Sequence, residues 1–284
     1  MCMNHDMSLD QALFAHDSDL RWYPNGQVAL TGALLDSWER LDRTFRQWGS
    51  EYDAAEIQFP SFIAVEQLQK MDYLQSFPQL ATFAVNVKQD DAALLHFKNA
   101  LTNEKSNAVV LVEVEPVQDV LTPAACYHAY IYLQDQQLSA PRYISTRNTC
   151  YRKEKEFTAL QRQWAFNMRE LVCLGGEVNV DQFLSAYREK ISAFAKSLGI
   201  QATWQAATDP FFMPERNDKY LAQCLFPIKQ ELVLENGLAI ASLNRHSQHF
   251  GNHFNIEFNN EPAFSGCVAF GLERWLYALK QVKS

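Results

Sequence analysis

No stretch of this 284-residue sequence approaches the roughly 18 consecutive apolar residues that a membrane-spanning helix requires, so no membrane role is expected. The segment Met1 to Asp10 lacks the basic-then-apolar order of a secretory leader, which makes the cytoplasm the expected location. Paired cysteine spacings are missing too. Cys2, Cys126, Cys150, Cys173, Cys224 and Cys267 are scattered, which argues against a disulfide framework and leaves metal ligation or plain burial as their roles. No Lys/Arg-rich run occurs and the formal charge is −8, so an extended phosphate-neutralising stripe is disfavoured, while a local basic patch stays open. Internal repeats, low-complexity tracts and Pro/Gly/Ser linkers are also lacking, and a single domain over 1–284 is the simplest organisation.

What is present is a globular composition, 48% hydrophobic and 20% charged. Leu34, Leu35, Trp38, Leu41, Phe45 and Trp48 recur at helical spacing, with Gly49 expected to stop that helix. An extended piece from Ala55 to Phe59 runs into Pro60, and a short helix is expected over Ile63 to Met71. Strands are expected at Ala108 to Val114, Cys126 to Leu133, Arg142 to Tyr151 and Phe166 to Leu174. Phe183, Leu184, Tyr187, Ile191, Phe194 and Leu198 mark a second amphipathic helix ended by Gly199. Strands return at Phe226 to Leu234, Leu238 to Leu243, His253 to Phe258 and Phe264 to Phe270, and a helix from Gly271 to Val282 closes the chain. Strands in runs, instead of strict alternation with helices, imply the α+β class with an antiparallel sheet flanked by helices.

Three stretches carry chemistry. Arg152 and Glu154, two residues apart at a strand end, share a face and can address a phosphate and an amine, or form a solvated ion pair. In Gly271-Leu272-Glu273-Arg274 an apolar strand passes through glycine into a helix start that can aim an arginine at a polyphosphate, or simply expose it. Phe166, two residues from both Trp164 and Met168, is available to stack on a flat ligand.

Taken together and in order, these stretches resemble the signature motifs of class II aminoacyl-tRNA synthetases. Gly32 to Gly49 followed by Glu56-Ile57-Gln58-Phe59-Pro60 resembles motif 1. Tyr151-Arg152-Lys153-Glu154 through Phe166 resembles motif 2, and Gly271-Leu272-Glu273-Arg274 the end of motif 3. A closer resemblance, from about residue 20 to residue 280, is to the amino acid:carrier protein ligases, relatives of atypical archaeal seryl-tRNA synthetases. It is carried by Phe59-Pro60, Tyr73-Leu74-Gln75-Ser76-Phe77-Pro78, Leu121-Thr122-Pro123-Ala124-Ala125-Cys126-Tyr127, Met168-Arg169-Glu170 and Asp209-Pro210-Phe211-Phe212. Asn244 with His246, His249, Phe250 and Gly251 completes it. The chain departs from the family in Met213-Pro214-Glu215-Arg216, where the family continues with Gly-Arg, and in Gln230, where an aromatic is usual.

The resemblance implies a Zn²⁺ ion on Cys126, Glu170 and Cys267, with a fourth position open to substrate. Cys150, Cys173 and Cys224 are then structural. It implies activation of an amino acid, glycine or alanine, by ATP with Mg²⁺, the catalytic arginines being Arg152 at the α-phosphate and Arg274 at the γ-phosphate. Phe166 would stack on adenine under Arg274, and Glu154, Arg162, Gln163 and Glu231, Leu232, Val233 and Leu234 would complete the ATP site. Glu170, Glu231, Ser242 and Asn244 would surround the amino acid. The implied acceptor is the phosphopantetheine thiol of a carrier protein, and motif 1 implies a homodimer. An outward basic face on the helix Asp181 to Leu198 (Arg188, Lys190, Lys196) is a candidate carrier-docking surface or an ordinary solvated helix face. Charging of tRNA is not expected from 284 residues filled by a catalytic core. Modification of a protein lysine, or a non-catalytic regulatory role, are the remaining rivals, and retention of both arginines speaks against the second.

Overall fold

The computed structural model describes residues 18–103, 109–225 and 228–283. Cys2, the stretch Met1 to Asp10, and Ala108 and Phe226, each the expected first residue of a strand, lie outside the described residues. The centre is a seven-stranded sheet built from Ala55–Glu56 (β1), Arg142–Tyr151 (β2), Ala165–Gly175 (β3), Ala202–Ala206 (β4), Lys229–Leu234 (β5), Ala239–Ser247 (β6) and Phe264–Gly271 (β7). Its order is β4-β5-β6-β7-β3-β2-β1. Every pairing is antiparallel except that of the short edge strand β1 with β2.

Alternation along the strands divides the sheet into two chemically different faces. On one, Leu171, Cys173, Leu232, Leu243, Val268 and Phe270 are buried under the helices Gly32–Ser50 (α1), Glu177–Ser197 (α2) and Leu272–Lys283 (α3). Phe45 of α1 stacks on Phe270 with ring centroids 4.0 Å apart, and Trp48, Phe194 and Trp275 close round it. The odd-numbered residues of β3 facing α1 include Arg169, only 3% exposed at its side chain. Arg169 donates to Asp42 of α1 (2.8 and 3.1 Å) and to Glu56 (2.5 Å), and Arg147 donates to Asp42 at 2.9 Å. On the other face Ile144, Val172, Leu174 and Cys267 meet a second apolar cluster from Phe59, Ile63, Tyr130, Phe250 and Phe254.

Several expectations from the sequence are corrected. Gly49 does not stop α1; it lies inside the helix, where a Cβ would meet Leu171 at 3.1 Å and Ser145 at 3.2 Å, so glycine permits close approach of helix and sheet. Gly199, at φ +77°, does follow the end of α2 as expected. Cys126 to Leu133 is not a strand: Tyr127–Tyr132 is a helix, with buried His128, Ala129, Tyr130 and Leu133 at helical spacing. Its aromatic and β-branched residues favoured a strand on propensity, and tertiary packing overrode that preference. Likewise His249–Phe254 is a helix and only Glu257–Phe258 is strand. Between 109 and 114 the one ladder contact is an isolated Val87–Val114 bridge, with Val110 and Val112 exposed. Ile63 to Met71 divides into a strand, Phe62–Ala64, and a helix, Val65–Lys70. Among the described residues no helix is long and apolar enough to cross a membrane.

The Asp42–Arg169 contact fixes α1 on the sheet through a buried charge. Asp42→Ala leaves that guanidinium with Glu56 as its remaining carboxylate and is expected to destabilise the fold by about 3 kcal/mol. Chemical denaturation measures it; an unchanged midpoint would show that the pair contributes nothing.

Candidate active site

The face of the sheet opposite α1, α2 and α3 carries a cavity of about 380 Å³. Its floor is set by register: Glu231 of β5 lies opposite Ser242 of β6, Ser242 opposite Ala269 of β7, and Ala269 opposite Glu170 of β3. Neighbouring positions on the same face add Lys229, Asn244, Cys267, Met168 and Phe166. The other walls come from the stretch containing Met71, Tyr73 and Phe77, from Ala124, Cys126 and Tyr127, and from the helix Asp218–Leu225, whose Lys219 and Gln223 reach the mouth.

At the inner end Cys126, Glu170 and Cys267 are all buried, with their ligand atoms within 4.8 Å of one another. Two sheet strands and the residue preceding a helix supply them, not the three strands the sequence suggested. The backbone N–H of Ala125 donates to Glu170 Oε1 at 3.0 Å, and Asn244 Nδ2 donates to Cys267 Sγ at 3.4 Å. His246 stands behind them, its Nε2 3.9 Å from Cys267 Sγ and its Nδ1 3.1 Å from the Tyr130 hydroxyl. The shared hydrogen bond with Cys267, burial and the nearby Glu170 push the Cys126 thiol well above its ordinary pKa. Cys267 is raised too: its bond with Cys126 works downwards, but burial and Glu170 prevail. Burial and the neighbouring carboxylate oppose ionisation of both thiols, and a divalent cation reverses that penalty. Two soft sulfurs and one carboxylate oxygen at this spacing fit a zinc-type ion with a position left for a further ligand.

At the outer end two arginines are held by neutral carbonyls, which fixes them without neutralising their charge. Arg152 Nε donates to Pro123 O at 2.9 Å, and its guanidinium lies 5.3 Å from the centre of the Phe166 ring. Arg274 donates through Nε to Gln161 O at 2.8 Å and through NH1 to Ala239 O at 3.0 Å. Burial, then repulsion from Arg152, lowers the pKa of Arg274. Such a pair of half-buried cations lining one cavity favours an anionic ligand between them. Among the described residues seven buried side-chain polar atoms lack a hydrogen-bond partner, and three of them, on Tyr73, Gln161 and Gln163, belong to residues lining this cavity. Unbonded buried polar atoms are costly in a folded chain and concentrate where a ligand completes them.

The structure gathers Arg152, Glu154, Gln163, Phe166, Glu170, Glu231, Ser242, Asn244, Cys126, Cys267 and Arg274 round one cavity. Other expected site residues lie elsewhere. Arg162 pairs with Glu154 at 2.6 Å outside the cavity lining. Leu232 alternates into the helix-covered core, and Val233 and Leu234 line a shallow depression beside β4. Cys150 and Cys173 are buried as structural residues should be, whereas Cys224 is exposed on the helix at the mouth. α2 covers the sheet face away from the cavity, and its Lys190 is paired with Glu51 while Arg188 lies 5.9 Å over Trp204.

Sequence reasoning missed two features. Lys229, two residues before Glu231, is half-buried between Asp209 (2.5 Å) and Glu231 (3.2 Å), and Gln223 of the mouth helix donates to Asp209 at 2.8 Å. Glu273, noted only as the neighbour of Arg274, accepts from Trp38 Nε1 (3.3 Å), Asn167 N (2.9 Å) and Asn167 Nδ2 (2.8 Å), which ties α1 to the start of α3. The adjacent charges in Lys-x-Glu and Glu-Arg were visible, but their partners are distant in sequence.

No protein-family model matches the chain. Among curated proteins it is 31% identical over 266 residues to amino acid–(acyl-carrier-protein) ligase 2 of Bradyrhizobium diazoefficiens, covering 89% of this chain and 77% of that one. Ligase 1 of the same organism is 29% identical over 262 residues, covering 89% and 78%. Among solved structures, M. kandleri SerRS, in its crystal structure with A. aeolicus tRNASec, superposes with a TM-score of 0.78 at 21% identity. That match covers 92% of this chain and 54% of the synthetase, so the chain spans about half its length. The sheet, its flanking helices and that superposition make the fold that of a class II aminoacyl-tRNA synthetase, and the relation to the two Bradyrhizobium proteins places the chain in the amino acid–(acyl-carrier-protein) ligase family.

Proposed function

We propose that this protein is a ligase that joins a small amino acid, glycine or alanine, to AMP and then transfers the aminoacyl group to the phosphopantetheine thiol of a carrier protein. One observation carries the reading: a single cavity has an acid cluster suited to a metal at one end and two half-buried guanidiniums, one of them beside an aromatic ring, at the other. An amino acid and a nucleotide triphosphate, set end to end, are the ligands that complement both.

In the first step an oxygen of the amino acid carboxylate forms a bond to the α-phosphorus of ATP, and the bond to the pyrophosphate leaving group breaks. Arg152 and Arg274 offset the negative charge on the phosphates, and Phe166 offers a flat surface to the base. Gln161 and Gln163, each with an unbonded amide atom, have hydrogen-bonding capacity left for the nucleotide. Magnesium accompanies the nucleotide. A zinc ion on Cys126, Glu170 and Cys267 would supply Lewis-acid capture of the neutral α-amine. Asn244, Ser242 and Glu231 flank that position; register keeps Ser242 and Glu231 in line with Glu170, and Asn244 beside Cys267. In the second step the thiol sulfur bonds to the acyl carbon, AMP leaves, and the thiol proton passes to solvent.

The docking surface belongs at the mouth of the cavity and not on α2, which lies behind the sheet. There the helix Asp218–Leu225 exposes Leu221 (47%) and Leu225 (76%), preceded by exposed Phe212, Met213 and Arg216. An apolar patch with a nearby cation suits an acidic carrier domain despite the net negative charge of this chain. A C₂ homodimer through α1 belongs to the same reading. Leu41, Phe45 and Trp48 face the sheet, so the outward surface of α1 offers Leu35 among Asp36, Glu39, Arg40 and Arg43. Light scattering is expected to give twice the 32.6 kDa chain mass, and a monomer at micromolar concentration would contradict this part of the reading.

Purified protein is expected to hold about one zinc per chain, and Cys267→Ala to lose both the metal and ATP–pyrophosphate exchange. Metal-free protein with full exchange activity would refute the metal assignment. Arg152→Ala and Arg274→Ala are each expected to cut exchange by on the order of 10²-fold or more, as loss of a donor at developing charge does; near-normal kinetics in both would remove the phosphate assignment. A panel of twenty amino acids in the exchange assay identifies the substrate. Leu221→Ser with Leu225→Ser should slow transfer to a phosphopantetheinylated carrier and spare exchange, whereas Arg188→Glu with Lys190→Glu should spare both. Charging of tRNA without transfer to any thiol would overturn the acceptor.

A further inference from the structure

Among the described residues four tyrosines are buried: Tyr73, Tyr130, Tyr187 and Tyr277. In three of them the fold uses the hydroxyl. Tyr130 bonds to His246 at 3.1 Å, Tyr187 donates to Trp48 O at 2.8 Å, and Tyr277 accepts from Asn236 at 3.1 Å. Tyr73 differs: it is 4% exposed, its hydroxyl has no partner, and it is the one of the four that lines the cavity. Its ring packs on Phe77 (5.2 Å between centroids) and Tyr127 (5.7 Å), contacts that phenylalanine would make equally well. The hydroxyl is therefore a cost to the unliganded fold, because a buried O–H that leaves water without a new bond is destabilising.

Position supplies the reason to keep it. Asp72, at φ +58°, turns the chain so that Tyr73 opens the four-residue helix Tyr73–Ser76 against the cavity wall. The Asp72 carboxylate is held there by Lys219 at 3.0 Å, across the cavity mouth. A left-handed conformation at a non-glycine residue is tolerated by aspartate and persists where surrounding contacts enforce it. Arg152 lines the same cavity as Tyr73, and its charge acts on the phenol against the larger effect of burial. Burial raises the phenol's pKa, so the group stays protonated and is available to donate.

We propose that Tyr73 is a further hydrogen-bond donor at the reacting centre, giving its O–H to the anionic oxygen that Arg152 also holds. The proposal rests on the adenylate reading of the site. That oxygen belongs either to the α-phosphate or to the amino acid carboxylate that attacks it, two anions of the same hydrogen-bonding chemistry. A donor aimed at an oxygen whose charge grows during the reaction acts on the rate more than on ground-state affinity.

Tyr73→Phe removes only the hydroxyl. The unliganded variant is expected to melt at or above the wild-type temperature, since no protein hydrogen bond is lost. Its ATP–pyrophosphate exchange kcat/KM is expected to fall by about tenfold or more, with kcat carrying most of the loss. A rise confined to the KM for ATP assigns the bond to the phosphate, and one confined to the amino acid KM assigns it to the carboxylate. Unchanged exchange in a folded Tyr73→Phe protein overturns the proposal and leaves the adenylate reading standing. A lowered melting temperature without ligand also overturns it, since the hydroxyl then serves the fold through ordered water. If wild type shows no exchange with any amino acid, the adenylate reading fails. The thermal shift produced by ATP alone then decides: a smaller shift in Tyr73→Phe supports the bond to phosphate, and equal shifts overturn it.

Discussion

Everything in the site depends on the antiparallel register of four adjacent strands. A side-chain period of two means that a single slip in β3 or β7 would carry Glu170 or Cys267 from the cavity into the helix-packed core. What prevents the slip is the opposite face. Leu171, Cys173, Val268 and Phe270 are buried with Phe45, Trp48 and Trp275, and each burial is lost if its strand moves by one residue. At about 25 cal/mol per Å² of apolar surface, that face supplies the free energy that holds Glu170 and Cys267 in line on the other. The Asp42–Arg169–Glu56 contact adds a directional constraint that apolar packing lacks, because an arginine fork is satisfied in few orientations.

The parts of this arrangement legible in the sequence are those written locally. β2 has the expected bounds and β3, β7 and α1 agree within a residue, because each is long and strongly patterned, whereas α2 starts four residues before the expected Asp181. Short apolar segments were ambiguous, and both His253 to Phe258 and Cys126 to Leu133 were misassigned where six-residue helices occur. Spacing could offer Cys126, Glu170 and Cys267 as ligands only through a family resemblance; their convergence is a property of register and of a helix start, neither of which a one-dimensional pattern contains. The same limit explains Leu232, Val233 and Leu234. The family resemblance groups them with Glu231, but alternation and a register irregularity at Leu232/Val233 leave only Glu231 facing the cavity.

Charge is organised differently at the two ends of the cavity. The acid end is crowded and dry, with Cys126 and Cys267 both raised in pKa, so it is poised for a cation. The basic end keeps Arg152 and Arg274 on backbone carbonyls, so it is poised for an anion. Between them Lys229 is sandwiched by Asp209 and Glu231 and already compensated, and it therefore orders the wall without competing for either ligand. An amino acid laid between the ends would present its amine to the acid end, where a bound zinc ion would take it in the neutral form, and its carboxylate towards the arginines. That polarity fixes which end of the substrate meets the nucleotide.

The mouth is connected to this interior by short bonded paths. Gln223 of the helix Asp218–Leu225 exchanges hydrogen bonds with Asp209 through both its backbone N–H (2.7 Å) and its carboxylate (2.8 Å), and Asp209 in turn holds Lys229 and hence Glu231. Lys219 of the same helix holds Asp72, whose backbone turn sets Tyr73. The helix is short, is exposed along Leu221 and Leu225, and has few apolar contacts of its own, so its position depends largely on these polar ties. Two residues of one exposed helix therefore reach both walls of the cavity, one through a charged relay on the sheet and one through a strained turn on the roof. A displacement of the helix would therefore disturb the settings of Glu231 and Tyr73 together.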